Sequence, residues 1–347
     1  MPLADLDLPV RLLAGGGPSS PHPRVLRALG LPVIGQFDPA FTAVMDDVMQ
    51  LARQTFLTSN ERCFAVSGLP AAGLEAVLNS LVESGDQVAI GGGARYMSQA
   101  AEIARCCGAQ VVSLDALGQS SPKLVVAPTF DPVSGNLTDI RELARACHVH
   151  GATLVVDATL GVGACEVRID AWHIDVCVAG VDYALGAPSG MVLVTYSDEV
   201  EARMRARKQP PSTSYLDLLQ LQAYWSPERL NHHTAPTSLV YGLREALRLV
   251  QDEGLERRWE RHRQIGLALH HGLRALGIEV TGEAPYAVVN LPATIDESDK
   301  RRTLLEDFGI HVTKVAEGAW RVGLLGADAR HDAVQRVVIA IEKVLDL

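Results

Sequence analysis

The feature that most limits the possible folds is a set of short apolar runs that lack polar alternation. Leu124-Val125-Val126 and Leu154-Val155-Val156 are examples, and segments with helical spacing of apolar residues separate runs of this kind. A strand that is apolar on both faces must be covered on both faces, as in a parallel sheet between two layers of helices. The sequence therefore predicts an α/β fold.

Seven such strands can be placed in the first part of the chain. They are predicted at 63–67, 87–90, 110–114, 123–127, 153–157, 175–179 and 191–195. The later part is mostly helical, with a long amphipathic run at 238–276 and short strands at 286–291 and 319–322. We expect a mostly parallel seven-stranded sheet, followed by a smaller α+β region.

These patterns divide the chain into three parts. Residues 1–40 are rich in Gly and Pro, which predicts an arm or extended loop without a packed helix. A large α/β domain is predicted at 41–240, and a small C-terminal α+β domain is predicted at 241–347. A chain of this size is long enough for two hydrophobic cores.

Charge and composition narrow the possible partners. The formal net charge is −10, so neither a nucleic acid nor an anionic membrane is expected to attract the protein. No charged-then-apolar leader opens the sequence, and no apolar run reaches about 18 residues. We therefore expect a cytoplasmic protein. His232 and His233 are adjacent but have no third ligand nearby, so no metal site is expected.

Candidate binding residues stand at the ends of predicted strands, because ligands of open parallel sheets bind beyond the carboxyl ends of the strands. Ser67 and Gly68 precede a helix whose first N–H groups can bind an anion. Asp157 ends an apolar strand, where a carboxylate is costly unless it meets a cation or donors. An aspartate there can also simply cap the next turn. Arg321 interrupts another apolar strand and can hold a carboxylate in its bidentate fork.

Longer segments carry a resemblance to a known family. They include Val155-Val156-Asp157-Ala158, Trp172-His173-Ile174-Asp175, Leu185-Gly186-Ala187-Pro188-Ser189-Gly190 and Arg321-Val322-Gly323-Leu324-Leu325-Gly326, with further matches at 32–39, 64–68, 73–76, 215–218, 232–236 and 242–246. Together, from Gly17-Pro18-Ser19 to the end, they resemble class V aminotransferases of the alanine–glyoxylate and serine–pyruvate group. The resemblance implies a fold-type I enzyme, normally a homodimer whose two active sites share residues.

The resemblance also implies roles for individual residues. In this family the aspartate matching Asp157 pairs with the protonated ring nitrogen of pyridoxal phosphate, which makes the ring an electron sink. The aromatic residue matching Tyr96 stacks on the ring, and the arginine matching Arg321 grips the substrate carboxylate. By the same resemblance, Ser67, Gly68 and Thr234 belong to the cofactor site, and Gly17 and Ser19 belong to the substrate site.

The sequence departs from the family pattern at the residue that matters most. The family motif Ser-Gln-Lys aligns with Val181-Asp182-Tyr183, and a phenol cannot form the Schiff base that the lysine forms. In the phosphate-binding turn, Leu69 lacks a hydroxyl donor and Pro70 lacks a backbone N–H. Lys123 precedes its strand and so belongs to the opposite end of the sheet, and the other four lysines fall in helices or in the small domain. We therefore expect no covalently bound cofactor.

Three interpretations remain open. In the first, the pocket is repurposed to bind or transform a small carboxylate-bearing molecule or amino acid, and Tyr183 acts as an acid or base or fills the space that the cofactor left. In the second, the protein is a lysine-independent enzyme that binds pyridoxal or pyridoxamine phosphate non-covalently. In the third, the chain is a non-catalytic dimer partner of an active aminotransferase.

Overall fold

The N-terminal segment contains more regular structure than its composition suggests. The computed structural model describes residues 7–347, so the first six residues of the predicted arm lie outside it. The segment forms strand β1 (Leu12–Leu13) and helix α1 (Pro23–Leu29). The expectation of a segment without a packed helix is wrong for α1, since Val25 is fully buried. The helix is possible because Pro23 occupies its first position, where no N–H is needed, and the His22 side chain caps it.

A seven-stranded sheet forms the centre of the first part of the chain. Its strands are β2 (Cys63–Ser67), β3 (Gln87–Ile90), β4 (Gln110–Ser113), β5 (Leu124–Pro128), β6 (Thr153–Asp157), β7 (Val176–Gly180) and β8 (Met191–Tyr196). The strand order is β2-β8-β7-β6-β5-β3-β4, and only β8 runs antiparallel to its neighbours. The predicted mostly parallel sheet of seven strands is confirmed.

Six helices accompany this sheet. They are α2 (Pro39–Phe56), α3 (Pro70–Leu81), α4 (Ala94–Cys106), α5 (Ile140–Val149), α6 (Asp198–Arg205) and α7 (Leu218–Trp225). The central strands are buried along their whole length except at Asp157, as their continuous apolar sequence requires. Because six of the seven strands run in one direction, Ser67, Pro128, Asp157 and Gly180 end at the same edge of the sheet.

The C-terminal part contains longer helices and a smaller sheet. Its helices are α8 (Thr237–Glu253), α9 (Leu255–Ala275), α10 (Glu297–Asp307) and α11 (His331–Leu345). Its strands are β9 (Glu279–Thr281), β10 (Tyr286–Asn290), β11 (Ile310–His311), β12 (Thr313–Ala316) and β13 (Ala319–Gly323). Four of them form an antiparallel sheet in the order β12-β13-β10-β9, and β11 pairs in parallel with β1. The long amphipathic run at 238–276 is helical but consists of two helices, because Gly254, with a φ of 84°, separates α8 from α9.

Two large hydrophobic cores stabilise these parts. The first includes the buried residues of the large sheet, its helices and α8, and the second includes those of α9, α11 and the small sheet. The predicted domain boundaries at residues 40 and 240 stay predictions. Within residues 7–347, no helix combines the length and the apolarity that a membrane-spanning segment requires.

Candidate functional site

A cavity of about 440 Å³ lies where the carboxyl edge of the large sheet meets the small sheet. Five residues that the sequence singled out line this cavity, and they come from distant parts of the chain: Gly17, Tyr96, Asp157, Tyr183 and Arg321. Asp157 ends β6, and Arg321 lies in the middle of β13. The strand-end argument therefore leads to one place in the fold, where charged groups from both sheets face the same space.

Asp157 brings a carboxylate to the cavity without a cation beside it. Its Oδ1 accepts a hydrogen bond from the backbone N–H of Thr159 at 3.0 Å. Among the described residues, no lysine, arginine or histidine nitrogen lies within ion-pair distance of it. Burial raises the pKa of Asp157, because few groups replace the water that would stabilise its charge. A cationic ligand would supply the missing partner.

Tyr96 lies in the first turn of α4 and closes the space next to Asp157. It is only 9% exposed, and its hydroxyl makes no hydrogen bond of acceptable geometry in the described part of the chain. Burial, and secondarily the nearby Asp157 carboxylate, raise the pKa of Tyr96 well above its usual range. The phenol is therefore a proton donor at neutral pH and is available to a ligand that contacts Asp157.

Arg321 presents a fixed guanidinium to the cavity. Its Nε donates to the carbonyl oxygen of Gly15 at 3.1 Å, and its Nη1 donates to that of Pro132 at 2.9 Å. The guanidinium also lies over the ring of Tyr286, 5.8 Å from the ring centroid. Arg321 is 6% exposed, and no carboxylate of the described residues pairs with it. Its Nη2 is left for an anionic ligand, and a carboxylate is the natural partner.

Tyr183 follows β7 and packs its ring against the backbone of Gly17. A Cβ at Gly17 would collide with this ring, and the φ of Gly17 is 122°, so a glycine is required at that position. The Tyr183 hydroxyl makes no hydrogen bond with any described residue. Burial raises the pKa of Tyr183, Arg321 opposes this shift, and Asp157 adds to it. Tyr183 therefore faces the cavity as a neutral phenol that can donate a hydrogen bond.

Ser19, which the sequence assigned to the substrate site, lies behind Tyr183 instead of in the cavity wall. Its Oγ donates to the Tyr183 carbonyl oxygen at 2.5 Å, and its backbone N–H donates to the Asp182 carbonyl oxygen at 2.8 Å. These two bonds hold the segment that carries Tyr183. Ser19 thus positions the site without contacting the cavity.

The other three residues that the resemblance assigns to the cofactor site, Ser67, Gly68 and Thr234, lie outside the cavity wall. Ser67 Oγ is 3.5 Å from Nε2 of His233, and Gly68 adopts a φ of 143° just before α3. Thr234 is exposed on the surface. None of these three predicted residues lines the cavity, whereas their neighbours Leu69 and Pro70 do.

The site supplies only part of what covalently held pyridoxal phosphate requires. Asp157 fits the ring nitrogen, since its carboxylate lacks a cation. No lysine of the described chain lines the cavity: Lys123 is bound to Asp86 at the amino edge of the sheet, and Lys314 pairs with Glu297. At the start of α3, Leu69 gives no side-chain cap. Among residues 7–347, the cavity wall therefore contains no primary amine, and the start of α3 offers no side-chain donor to a phosphate.

Sequence reasoning missed the part of the cavity that α4 forms. Arg95, Gln99 and Ile103 line it beside Tyr96, across from Leu74 of α3. The signal was present, because residues spaced by four share one face of a helix. Only Tyr96 was selected from this helix, because the family pattern pointed to it, although Arg95 precedes it in the same turn.

Comparisons with known proteins agree with these observations. The family model described as aminotransferase class-V matches residues 72–336. The (S)-ureidoglycine–glyoxylate transaminase of Bacillus subtilis (strain 168) is 35% identical, over 98% of this chain and 92% of that protein. The alanine–glyoxylate aminotransferase of Oryctolagus cuniculus is 32% identical, over 97% of this chain and 93% of that protein.

Solved structures show the same similarity. The ureidoglycine–glyoxylate aminotransferase structure from Bacillus subtilis superposes with a TM-score of 0.95 at 37% identity, covering 99% of this chain and 94% of that one. The pyridoxamine–pyruvate aminotransferase structure from Mesorhizobium loti superposes with a TM-score of 0.89 at 25% identity, covering 96% and 92%. The fold is thus that of a known group of enzymes.

Proposed function

The chain belongs to the class V aminotransferases, and from that premise we propose that its cavity binds a small carboxylate-bearing ligand without a lysine-linked cofactor. One observation carries the proposal. Among residues 7–347, the cavity wall contains Arg321 without a carboxylate partner and Asp157 without a cationic partner, but no lysine. Unpaired charges of opposite sign in one cavity call for a ligand that carries both signs.

The charges define how such a ligand would be held. Arg321 binds a carboxylate through its free Nη2, because Gly15 and Pro132 fix the rest of the guanidinium. Asp157 receives a cationic nitrogen, and the Tyr183 hydroxyl donates a hydrogen bond to the bound molecule. An amino acid has both required charges. Conventional transamination is not expected, because Tyr183 stands where the family places the amine that forms the Schiff base.

The absence of a covalent cofactor can be tested directly. The purified protein is mixed with pyridoxal phosphate, reduced with borohydride and examined by peptide mass spectrometry. We expect no saturable, stoichiometric label on any residue of the wild type, and none in Tyr183→Phe. In Tyr183→Lys the new amine should be labelled. A stoichiometric label on one lysine of the wild type would contradict the proposal.

Ligand binding is tested by thermal denaturation with small carboxylic and amino acids. We expect at least one of them to raise the melting temperature of the wild type, and Arg321→Ala to lose this response. Arg336→Ala is the matched control, because Arg336 is an exposed arginine of α11 outside the cavity. A response that survives in Arg321→Ala would place the ligand elsewhere. If no acid gives any response, the interpretation as a non-catalytic dimer partner is favoured.

A second candidate function is non-covalent binding of pyridoxal or pyridoxamine phosphate. Asp157 favours it, because a protonated pyridine nitrogen is a suitable partner for a carboxylate that has no cation. The related structure from Mesorhizobium loti is named a pyridoxamine–pyruvate aminotransferase, which also favours a test with pyridoxamine compounds. Gel filtration with either compound distinguishes the candidates. Co-elution that Asp157→Asn abolishes supports this second function, and absence of co-elution supports the first.

A further inference from the structure

We propose that Arg95 forms a second anion subsite in the same cavity, so that the preferred ligand is a small dicarboxylate. The inference rests on the proposed function, because it takes Arg321 as the partner of the first carboxylate. Arg95 lies in the first turn of α4 and lines the cavity together with Tyr96 and Gln99. It therefore brings a second guanidinium to a space that already contains one.

Arg95 has no partner within the described protein. It makes no hydrogen bond and no ion pair with any of residues 7–347. Asp131 lies at the same end of α4, but its carboxylate accepts hydrogen bonds from the backbone N–H groups of Gly93, Val133 and Ser134. This carboxylate is thereby occupied with its own loop, and Arg95 is left to face the cavity.

Arg95 is exposed to solvent, so water stabilises its charge, but its place at a helix N-terminus favours a bound anion beside it. The N-terminus of a helix carries partial positive charge, so a cation in the first turn is destabilising. The first turn of α4 contains no acidic residue, and its N-cap, Gly93, offers no side chain. The start of α3, at Leu69–Ala71, is also without a side-chain cap and opens on the same cavity. Two helix N-termini and one guanidinium thus favour an anion at this end.

The overall charge of the cavity leads to the same class of ligand. Its wall contains two arginines and one aspartate, whereas the whole protein has a net charge of −10. The Tyr96 hydroxyl, nine-tenths buried, lies close to the Asp157 carboxylate and adds a donor at that side of the cavity. A molecule with two carboxylates and one ammonium group would match Arg321, Arg95 and Asp157 one to one. Acidic amino acids have this pattern of charges.

The second subsite is tested by titration calorimetry with succinate and propionate, which differ by one carboxylate. We expect the wild type to bind succinate roughly tenfold more tightly than propionate, which corresponds to about 1.4 kcal/mol. Arg95→Gln should reduce this ratio to about two, the statistical advantage of two equivalent ends, and propionate should keep most of its affinity through Arg321. Arg105→Gln is the control, because Arg105 is an exposed, unpaired arginine of the same helix outside the cavity.

The outcomes separate this inference from the proposed function. If the wild type binds both acids with similar affinity, or if Arg95→Gln keeps the preference for succinate, the second subsite is refuted while binding at Arg321 stands. If neither of these acids binds, and neither aspartate nor alanine, which add the ammonium group for Asp157, binds either, the proposed function fails and this inference fails with it. Inorganic phosphate is titrated in parallel. If phosphate binds more tightly than succinate and Arg95→Gln abolishes this tighter binding, the dicarboxylate proposal is wrong and a phosphate ester is the preferred class of ligand.

Discussion

The Asp157 carboxylate supplies a charge that the site needs for ligand binding, but the same buried charge destabilises the ligand-free protein. It ends an apolar strand, and burial raises its pKa above the ordinary value of an aspartate. A raised pKa in the folded state means that folding favours the protonated form. The corresponding stabilisation is present below the unfolded pKa of about 3.9 and is lost as the pH rises through the folded value.

We therefore predict that Asp157→Asn stabilises the ligand-free protein at pH 8 and has little effect at pH 4. The neutral amide keeps the shape and the hydrogen bond from Thr159 but carries no charge into the cavity. A difference on the order of 1 kcal/mol corresponds to a rise in melting temperature of about 2 °C. Calorimetry across this pH range measures it, with Asp307→Asn, an exposed aspartate of α10, as control. If the Asp157→Asn variant is less stable than wild type at pH 8, groups within the protein already stabilise the charged carboxylate, and the prediction is wrong.

The sequence predicted the residues of the cavity unevenly. Asp157 and Arg321 were found because each is a charged residue in an apolar strand, which is costly without a function. Arg95 was missed because an arginine in a helix is ordinary, and only the fold shows that its helix face borders the cavity. Ser19 was assigned to the substrate on the family pattern, whereas its hydroxyl holds the Tyr183 backbone. Contacts of that kind depend on distant segments and leave no local pattern.

At the scale of elements, helix α3 shows how far the phosphate-binding turn has changed. Its N-cap residue, Leu69, has the extended backbone typical of that position, with φ −87° and ψ 170°, but no side-chain oxygen to accept from the first N–H groups. Leu69 is also 57% exposed, so its side chain adds little to the core. The start of α3 is therefore less well capped than its geometry permits.

We predict that Leu69→Ser stabilises the protein by about 1 kcal/mol, because a serine hydroxyl at an N-cap accepts a hydrogen bond from the second or third residue of the helix. A rise in melting temperature of about 2 °C is expected. Leu230→Ser is the matched control, since Leu230 is 59% exposed and lies outside any helix. Equal melting temperatures for the two variants would show that Leu69 does not limit the stability of α3.

The sequence predicted the strands of the large sheet more completely than the division of the helical run at 238–276. Continuous apolar runs such as β5 and β6 identify buried parallel strands, because few other structures accommodate them. The break between α8 and α9 was missed because one glycine within a periodic pattern does not by itself end a helix. The two-residue strands β1 and β11 were missed for another reason, since each exists only through its pairing with the other.

At the scale of the whole molecule, several exposed apolar side chains surround the start of α3. They are 49–73% exposed and comprise Leu31, Val33, Phe37, Leu69, Tyr215 and Leu230. Contacts connect the segments that carry them: Gln36 bonds to Asn231 and Ala235, the ring of Tyr215 lies 5.7 Å from that of His232, and Ser67 approaches His233. The segments around residues 36, 67, 215 and 231–235 therefore lie next to one another, and we call the six exposed side chains the apolar surface, which a single chain leaves in water.

We predict that two copies of the chain associate through this apolar surface. The exposed loop with Asn231 and Thr234 lies in the same region, and the family resemblance assigns such residues to the neighbouring subunit's site. A stable interface removes about 1,200–2,000 Å² of surface from water, so an unpaired charge within it is strongly unfavourable. Phe37→Asp should therefore weaken the dimer at least about 100-fold, by roughly 2.7 kcal/mol.

Analytical ultracentrifugation over a range of protein concentrations measures this association. Wild type is expected to sediment as a dimer at micromolar concentration, and Phe37→Asp as a monomer. Ile339→Asp is the control, because Ile339 is also 49% exposed but lies on α11, away from the apolar surface. A monomeric wild type, or equal dissociation in both variants, would contradict the predicted interface. If Phe37→Asp loses both the dimer and the ligand-induced rise in melting temperature that depends on Arg321, each cavity needs the partner copy to be complete.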